Sequence, residues 1–209
     1  MKIPDKIILQ SLLGSRVRYK ACVMSISKLA ALSFAGILAI SVPSTEAVQL
    51  ADGTVSFEKS PRLINAVTTF NAVRVWSAKY YFTIYLPDNA GEPLEQVTIQ
   101  QRQGVEDIRF KLEKTFAFEG THRDKGERLT LQAVSKDEQT NTISVTFDPP
   151  ILPGQTFTIG LKPRRNPRYS GVFLFGVTAF PAGEKPRGLY LGVGRLQFYR
   201  GNGDRSFLY

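Results

Sequence analysis

Cysteine, histidine and tryptophan are nearly absent from this chain of 209 residues, which contains one of each. The cysteine, Cys22, lies in an N-terminal region that we expect to be removed, so the mature protein would have no disulfide, thiol nucleophile or thiolate metal site. A zinc site built from several histidines is excluded by count, because His122 stands alone. No metal or cofactor is predicted, and the domain must be held together by burial alone.

Long apolar runs are also missing. Six basic residues precede an uncharged stretch of 14 residues, Leu29 to Val42, which is followed by the small-residue signal Thr45-Glu46-Ala47. A bilayer span needs roughly 20 apolar residues, so a membrane anchor is the weaker interpretation. The pattern predicts that residues 1–47 are a secretory signal peptide cut after Ala47, and that residues 48–209 are one domain.

Strong charge is missing from that domain. Removing the leader leaves 21 basic and 16 acidic residues, a net charge of +5, with no concentrated basic run. Such a balance argues against nucleic acid as a partner, although weak attraction to anionic surfaces or polysaccharides is compatible with it.

The remaining chain is rich in short alternating apolar patterns. Apolar and polar side chains alternate over Ile143 to Phe147 and over Phe157 to Leu161, on either side of a turn that holds Pro149, Pro150 and Pro153. Period-two alternation predicts half-buried strands, and proline marks where pairing stops. With further strands at 8–15-residue spacing, eight or nine in all, the pattern predicts an all-β, two-sheet sandwich, immunoglobulin-like in topology, with a closed barrel as the alternative.

Other segments have less uniform signals. Leu63 to Asn71 fits either a short helical turn or an irregular edge segment, and Glu119 to Arg128 reads as an exposed charged loop. Strands are predicted in several further places, and the glycines of the last one indicate a bulge. They include Trp76 to Leu86, Ile108 to Leu112 with Phe116 and Phe118 extending its apolar face, the nearly all-apolar Val172 to Phe180, and Leu189 to Tyr199.

Catalytic sets are hard to find. His122 with Asp124 lies in the charged loop, and no G-x-S-x-G elbow accompanies it, so we interpret it as a solvated histidine. The adjacent carboxylates Glu106-Asp107 and Asp137-Glu138 point to opposite faces of a strand, which is typical of solubilising charge. No catalytic residue is predicted.

One loop has the chemistry of a ligand clamp. Three arginines, an amide and a phenol stand close together after Pro163 and on both sides of Pro167, and their donors suit carboxylate, sulfate or phosphate groups. They are Arg164, Arg165, Asn166, Arg168 and Tyr169. Structural bracing by these arginines is the competing interpretation. Tyr81 and Tyr85 form a second candidate, for stacking on sugar rings, against ordinary sandwich packing.

Several motifs carry a resemblance to a known family. They are Tyr80-Tyr81-Phe82 with residues 90–94 (AGEPL), residues 147–150 (FDPP) with Pro153-Gly154, and residues 166–169 (NPRY) with residues 175–183 (FGVTAFPAG). In these motifs the chain resembles a family of secreted cyanobacterial proteins, the domain of unknown function 2808. The resemblance implies an exported protein of the cell envelope or the exterior and transfers no catalytic residue.

Together these observations favour an exported, non-enzymatic protein, periplasmic or extracellular, that binds polysaccharide or another envelope component. One alternative is a carbohydrate-active hydrolase that uses distant carboxylates such as Glu106 and Asp137. The other is an envelope assembly protein that self-associates through Val172 to Phe180.

The leader yields the first testable prediction. We expect the exported protein to begin at Val48. Because Met24 would give a leader of ordinary proportions, we expect translation to start there. N-terminal sequencing of the mature protein and of its uncleaved precursor checks both points. Residues upstream of Met24 in the precursor would contradict the second.

Overall fold

The computed structural model describes residues 53–201, which fold into two antiparallel sheets of five strands each. This confirms the predicted all-β, two-sheet class, and the barrel alternative is not adopted. The expected leader, its cut after Ala47 and the start at Met24 lie outside the described residues, as does the tail beyond Gly201. No helix within residues 53–201 is long and apolar enough to cross a membrane.

The first sheet has the strand order β1-β2-β8-β4-β5. Its strands are β1 Arg62–Thr68, β2 Tyr80–Tyr85, β4 Phe116–Gly120, β5 Lys125–Leu129 and β8 Thr156–Leu161. The second sheet has the order β10-β9-β3-β7-β6. Its strands are β3 Leu94–Gln103, β6 Leu131–Asp137, β7 Thr142–Ile151, β9 Gly171–Pro181 and β10 Leu189–Phe198.

Aromatic rings fill the space between the sheets. Tyr80 and Phe82 of β2 meet Phe175 of β9 edge to face, with ring centroids 6.3 and 5.6 Å apart. Phe147 of β7 meets Phe157 of β8 in the same geometry at 5.4 Å. All five rings are almost completely buried, as the alternation along their strands predicts.

The two alternating strands around the proline-rich turn do not pair with each other. β7 lies in the second sheet and β8 in the first, so the turn carries the chain from one sheet to the other. The turn is shorter than predicted, because Pro149 and Pro150 belong to β7, which continues to Ile151. β8 is buried on both faces, not on one. On its outer face the Phe116 ring lies over Gly160, where any Cβ would collide with it, and the Thr158 hydroxyl donates to the Gly120 carbonyl at 2.7 Å.

The segment from Leu63 contributes to the bulged edge strand β1, so of the two alternatives the irregular edge segment is adopted and the helical turn is not, because β-branched residues pair well at a sheet edge. Three other local predictions need correction. In the predicted loop Glu119 to Arg128, the last four of the ten residues belong to strand β5 and the first two belong to β4. The predicted strand Ile108 to Leu112 is reduced to a single bridge at Phe110, followed by a 3₁₀ turn at Leu112–Lys114. Phe116 and Phe118 face away from the main core, and Ala117 between them faces inward.

The last two strands follow the predictions more closely. β9 lies between β10 and β3, with Phe173, Phe175 and Val177 buried on its inner face. In β10 the register shifts between Tyr190 and Gly192, which confirms the predicted bulge. Six strand termini meet at one end of the sandwich. They are the last residues of β1, β3, β8 and β10 and the first residues of β2 and β9. The loops that join them therefore form a common surface.

The core supports a stability prediction. Replacing Phe82 with Ala removes a fully buried ring, and we expect it to lower the free energy of unfolding by about 3–5 kcal/mol. Phe70→Ala is a matched control, since that ring is 48% exposed and its loss should cost less than about 1 kcal/mol. Urea denaturation of residues 48–209 measures both, and equal losses would contradict this account of the core.

Candidate functional site

A pocket of about 480 Å³ opens at the end of the sandwich where the loops meet. Three segments line it: the β1–β2 loop, the connection from β3 to β4, and the β8–β9 loop. The lining residues are Trp76, Glu106, Asp107, Ile108, Arg109, Arg164, Arg165, Asn166, Pro167 and Arg168. The pocket thus contains four of the five residues that the sequence placed in a ligand clamp, together with residues from two distant segments.

Asn166 is the anchor of the β8–β9 loop. Its side-chain nitrogen donates to the carbonyls of Phe70 and Ala72 at 2.8 Å each, and its side-chain oxygen accepts from the Tyr80 hydroxyl at 3.0 Å. The residue is completely buried. Its amide is therefore committed to the protein, so Asn166 positions the loop and leaves ligand contact to its neighbours.

The Tyr80 hydroxyl is the donor in this network. Burial raises the pKa of Tyr80 well above its ordinary value, and the negative charge of Glu106 raises it further. The phenol therefore stays protonated over the physiological range and remains able to donate to Asn166. Because the Tyr80 ring also packs in the main core, this hydrogen bond ties the pocket to the centre of the sandwich.

The arginines of the loop are placed differently from Asn166. Arg164 and Arg168 are exposed, and the half-buried Arg165 guanidinium lies over the Trp76 ring at 5.8 Å from its centroid. Within residues 53–201 none of these three arginines forms a salt bridge with a carboxylate. Their guanidinium groups are thus available to a group that enters the pocket.

The two carboxylates in the pocket already have partners. Glu106 accepts hydrogen bonds from the backbone N–H groups of Arg168 and Tyr169, the second at 3.3 Å. Asp107 accepts from the side-chain amide of Asn141 at 3.3 Å. These carboxylates hold the surrounding loops, so they do not neutralise the arginines directly.

The tyrosine candidates lie elsewhere. Tyr81 is 4% exposed on the outer face of the first sheet, where it packs against Phe116, Phe118 and the ring of His122. Tyr85 is half-buried under the Arg62 guanidinium. Neither lines the pocket. Tyr169 is 61% exposed beside it, where its backbone binds Glu106.

The sequence predicted that His122 is a solvated loop residue, and this prediction is wrong. Its ring stacks on Tyr81 with centroids 6.0 Å apart, and its Nδ1 atom is buried without a hydrogen-bond partner. The loop that carries it folds back over the outer face of the first sheet. In residues 53–201 no group of three or more histidine, cysteine or acidic side chains is arranged to hold a metal ion.

Two pocket residues were not singled out from the sequence. Trp76 was assigned to a strand, but it lies before β2 in a loop and is 68% exposed. Arg109 lies within the predicted strand Ile108 to Leu112 and is exposed, and the strand pattern gives no sign of which residues lie next to it. An exposed tryptophan beside an arginine-rich loop indicates a binding site. The sequence alone does not show that the β1–β2 loop, which carries Trp76, lies beside the β8–β9 loop.

The family model described as "Protein of unknown function (DUF2808)" matches residues 54–198. No curated protein matches the chain. Solved structures with similar folds include a collagen-binding domain from a Staphylococcus aureus adhesin, with 13% identity, a TM-score of 0.37, and coverage of 66% of this chain and 98% of that one.

Two further structures are similar at the same level. The bacterial hydrophobin BslA has 15% identity and a TM-score of 0.38, with coverage of 69% of this chain and 97% of that one. An uncharacterised immunoglobulin-like protein from Nocardia farcinica has 14% identity and a TM-score of 0.35, with coverage of 64% and 96%. Likenesses this distant carry no information about ligand or activity.

The Asn166 network gives a prediction. Asn166→Ala leaves the Tyr80 hydroxyl and two carbonyls without partners, and we expect it to lower the free energy of unfolding by about 3 kcal/mol. Arg164→Ala in the same loop should change it by less than about 0.5 kcal/mol, because that side chain is exposed. Guanidinium chloride denaturation distinguishes the two, and similar losses would show that Asn166 is not the anchor.

Proposed function

The chain belongs to the DUF2808 family of proteins of unknown function, and from this premise we propose that it is an exported, non-enzymatic protein of the cell envelope or the exterior. Its ligand is an anionic polysaccharide or another acidic envelope component. The binding site is the pocket that contains Trp76, Arg164, Arg165 and Arg168.

The observation that carries this proposal is the set of arginines without carboxylate partners in the pocket. A guanidinium presents a planar fork of donors that matches carboxylate, sulfate and phosphate oxygens. Four arginines line the pocket against two carboxylates, and Glu106 is occupied by backbone N–H groups. The exposed Trp76 adds a broad apolar surface beside these cations, which suits a ligand with both a ring and an acidic group.

The β8–β9 loop is anchored to its neighbours, which favours a role for its arginines in ligand binding over a role in keeping the surface hydrated. Asn166 and Glu106 hold the β8–β9 loop from two sides, and Pro163 and Pro167 stiffen its backbone. A loop that is ordered before the ligand arrives loses less conformational entropy on binding.

A hydrolase is less well supported. Hydrogen bonds from the Thr140 hydroxyl and from the Gln139 and Thr140 N–H groups lower the pKa of Asp137, whereas a general acid needs a raised pKa. Glu106 is engaged by the loop backbone. Both carboxylates thus have structural roles that account for their positions.

Self-association through the apolar strand is also less well supported. β9 is flanked by β10 and β3, so neither of its edges is open for pairing with a second copy. Two of its three phenylalanines, Phe173 and Phe175, are buried in the core, and the third, Phe180, is half-buried.

Export is supported by the order of segments in residues 1–47, where a basic region, an apolar run and a small-residue cleavage signal follow one another as in a secretory leader. The expected destination is the periplasm or the exterior. Fractionation of the producing cell with detection by mass spectrometry tests it, and recovery of the protein from the cytoplasm alone would contradict export.

The pocket is tested by a charge-removal variant. We expect the triple variant Arg164→Ala, Arg165→Ala, Arg168→Ala to bind polygalacturonate about tenfold or more weakly, because charge-assisted hydrogen bonds are lost. Isothermal titration calorimetry against polygalacturonate and dextran sulfate, with uncharged dextran as a blank, measures the loss.

A second triple variant controls for net charge. Arg123→Ala, Arg128→Ala, Lys185→Ala removes the same charge from exposed positions outside the pocket and should bind like the wild type. Circular dichroism confirms that both variants fold. Equal weakening in the two variants would show that binding is non-specific electrostatic attraction. Unchanged binding in both would show that the ligand binds outside this pocket.

A further inference from the structure

Two loop segments beside the pocket form a short antiparallel pair. Phe110 and Pro163 form a β-bridge, the Lys111 N–H donates to the Lys162 carbonyl at 2.8 Å, and the Arg164 N–H donates to the Arg109 carbonyl at 2.7 Å. In this register Arg109 faces Arg164, and Lys111 faces Lys162.

All four cations lie on the same side of the pair. Phe110 points inward, with its ring 5.7 Å from that of Tyr80 and 6.4 Å from that of Phe175. Because side chains alternate along a strand, residues on both sides of Phe110 and Pro163 point outward. We refer to Arg109, Lys111, Lys162 and Arg164 as the cationic ladder.

Such an arrangement opposes folding. Like charges directly across an antiparallel pair are destabilising. Burial lowers the pKa of Lys162, and the positive charges of Lys79 and Lys111 lower it further. Within residues 53–201 no carboxylate forms a salt bridge with the ladder. The Lys162 ammonium donates to the carbonyls of Trp76 and Ala78 at 3.1 Å each, which brace it without neutralising it.

The ladder also joins two pockets. Arg109 and Arg164 line the pocket with Trp76, and they also line a neighbouring pocket of about 470 Å³ whose other lining residues include Leu112, Glu113 and Lys136. An acidic group bound at this arginine pair would therefore have open space on both sides.

We propose that the cationic ladder binds successive acidic groups of a linear anionic polysaccharide that continues out of the Trp76 pocket. The ligand is then a polymer that carries a repeated negative charge, and a single acidic sugar occupies only part of the site. This inference rests on the proposed function and specifies its ligand. Residues two apart along an extended segment have Cα atoms about 6.6 Å apart. Each segment therefore presents its cations at a repeat, which matches a ligand with a repeated charge better than an isolated anion.

A length series tests the proposal. The probes are galacturonate, tetragalacturonate and polygalacturonate, with affinities from calorimetry at several salt concentrations. We expect the dissociation constant of the wild type to fall at least tenfold from the monomer to the tetramer, since added acidic groups reach the ladder. Equal affinity per binding site across the series would overturn the ladder and leave the pocket function intact.

Lys111→Gln isolates the ladder from the pocket, because Lys111 is exposed and lines neither pocket. We expect unchanged galacturonate affinity, about threefold to tenfold weaker polymer binding, and a salt slope smaller by about 1. Lys185→Gln is the matched control at an exposed position in the β9–β10 loop, at the opposite end of the sandwich. Unchanged polymer binding in Lys111→Gln would overturn the ladder.

Stability gives a readout that a structural lysine would not reproduce. Without ligand, Lys111→Gln should raise the melting temperature by about 1 °C, because it relieves like-charge repulsion. A fall in melting temperature would mean that Lys111 supports the fold, against the proposal.

Two further outcomes separate the inference from its premise. If no galacturonate probe and no dextran sulfate binds the wild type, the proposed function fails together with the ladder. If vesicles of an anionic phospholipid bind through Lys111 and the polysaccharides do not, the ladder is an anion site for a membrane surface, and the polymer ligand is wrong.

Discussion

Burial of aromatic rings between two sheets is the interaction on which this domain depends. No disulfide is available within residues 48–209, so stability must come from apolar area removed from water. The rings of Tyr80, Phe82 and Phe175 meet across the interface between the sheets, and Phe147 and Phe157 do so at another point. The strands that carry these rings determine where the loops begin and end. The packing of the core therefore fixes the positions of the loops that line the Trp76 pocket.

Tyr80 connects this core to the pocket. Its ring packs among the buried aromatics, and its hydroxyl donates to Asn166 in the β8–β9 loop. Asn166 in turn holds the β1–β2 loop through two carbonyls, while Glu106 binds the far side of the β8–β9 loop from a third segment. Residues that appeared suited to a ligand thus divide into those that build the loop and the arginines that the loop presents.

The arginines and lysines at this end have unfavourable surroundings for a purely structural role. Within residues 53–201 no carboxylate forms a salt bridge with these cations, and like charges face each other across a bridged backbone. Lys162 is a partial exception, since its ammonium is bound by two carbonyls. The balance of charge at this end therefore favours an anionic partner, and the loop anchors explain how the cations are kept close despite repulsion.

Local pattern was sufficient for the fold class and for most strand faces, because alternation with a period of two is encoded by neighbouring residues. It also located the arginine loop. Tertiary structure alone decided that β7 and β8 belong to different sheets, that Asn166 is buried, and that Arg109 faces Arg164. Strand pairing joins residues that are far apart in the chain, and its energy depends on side chains from both partners, so no single segment specifies it.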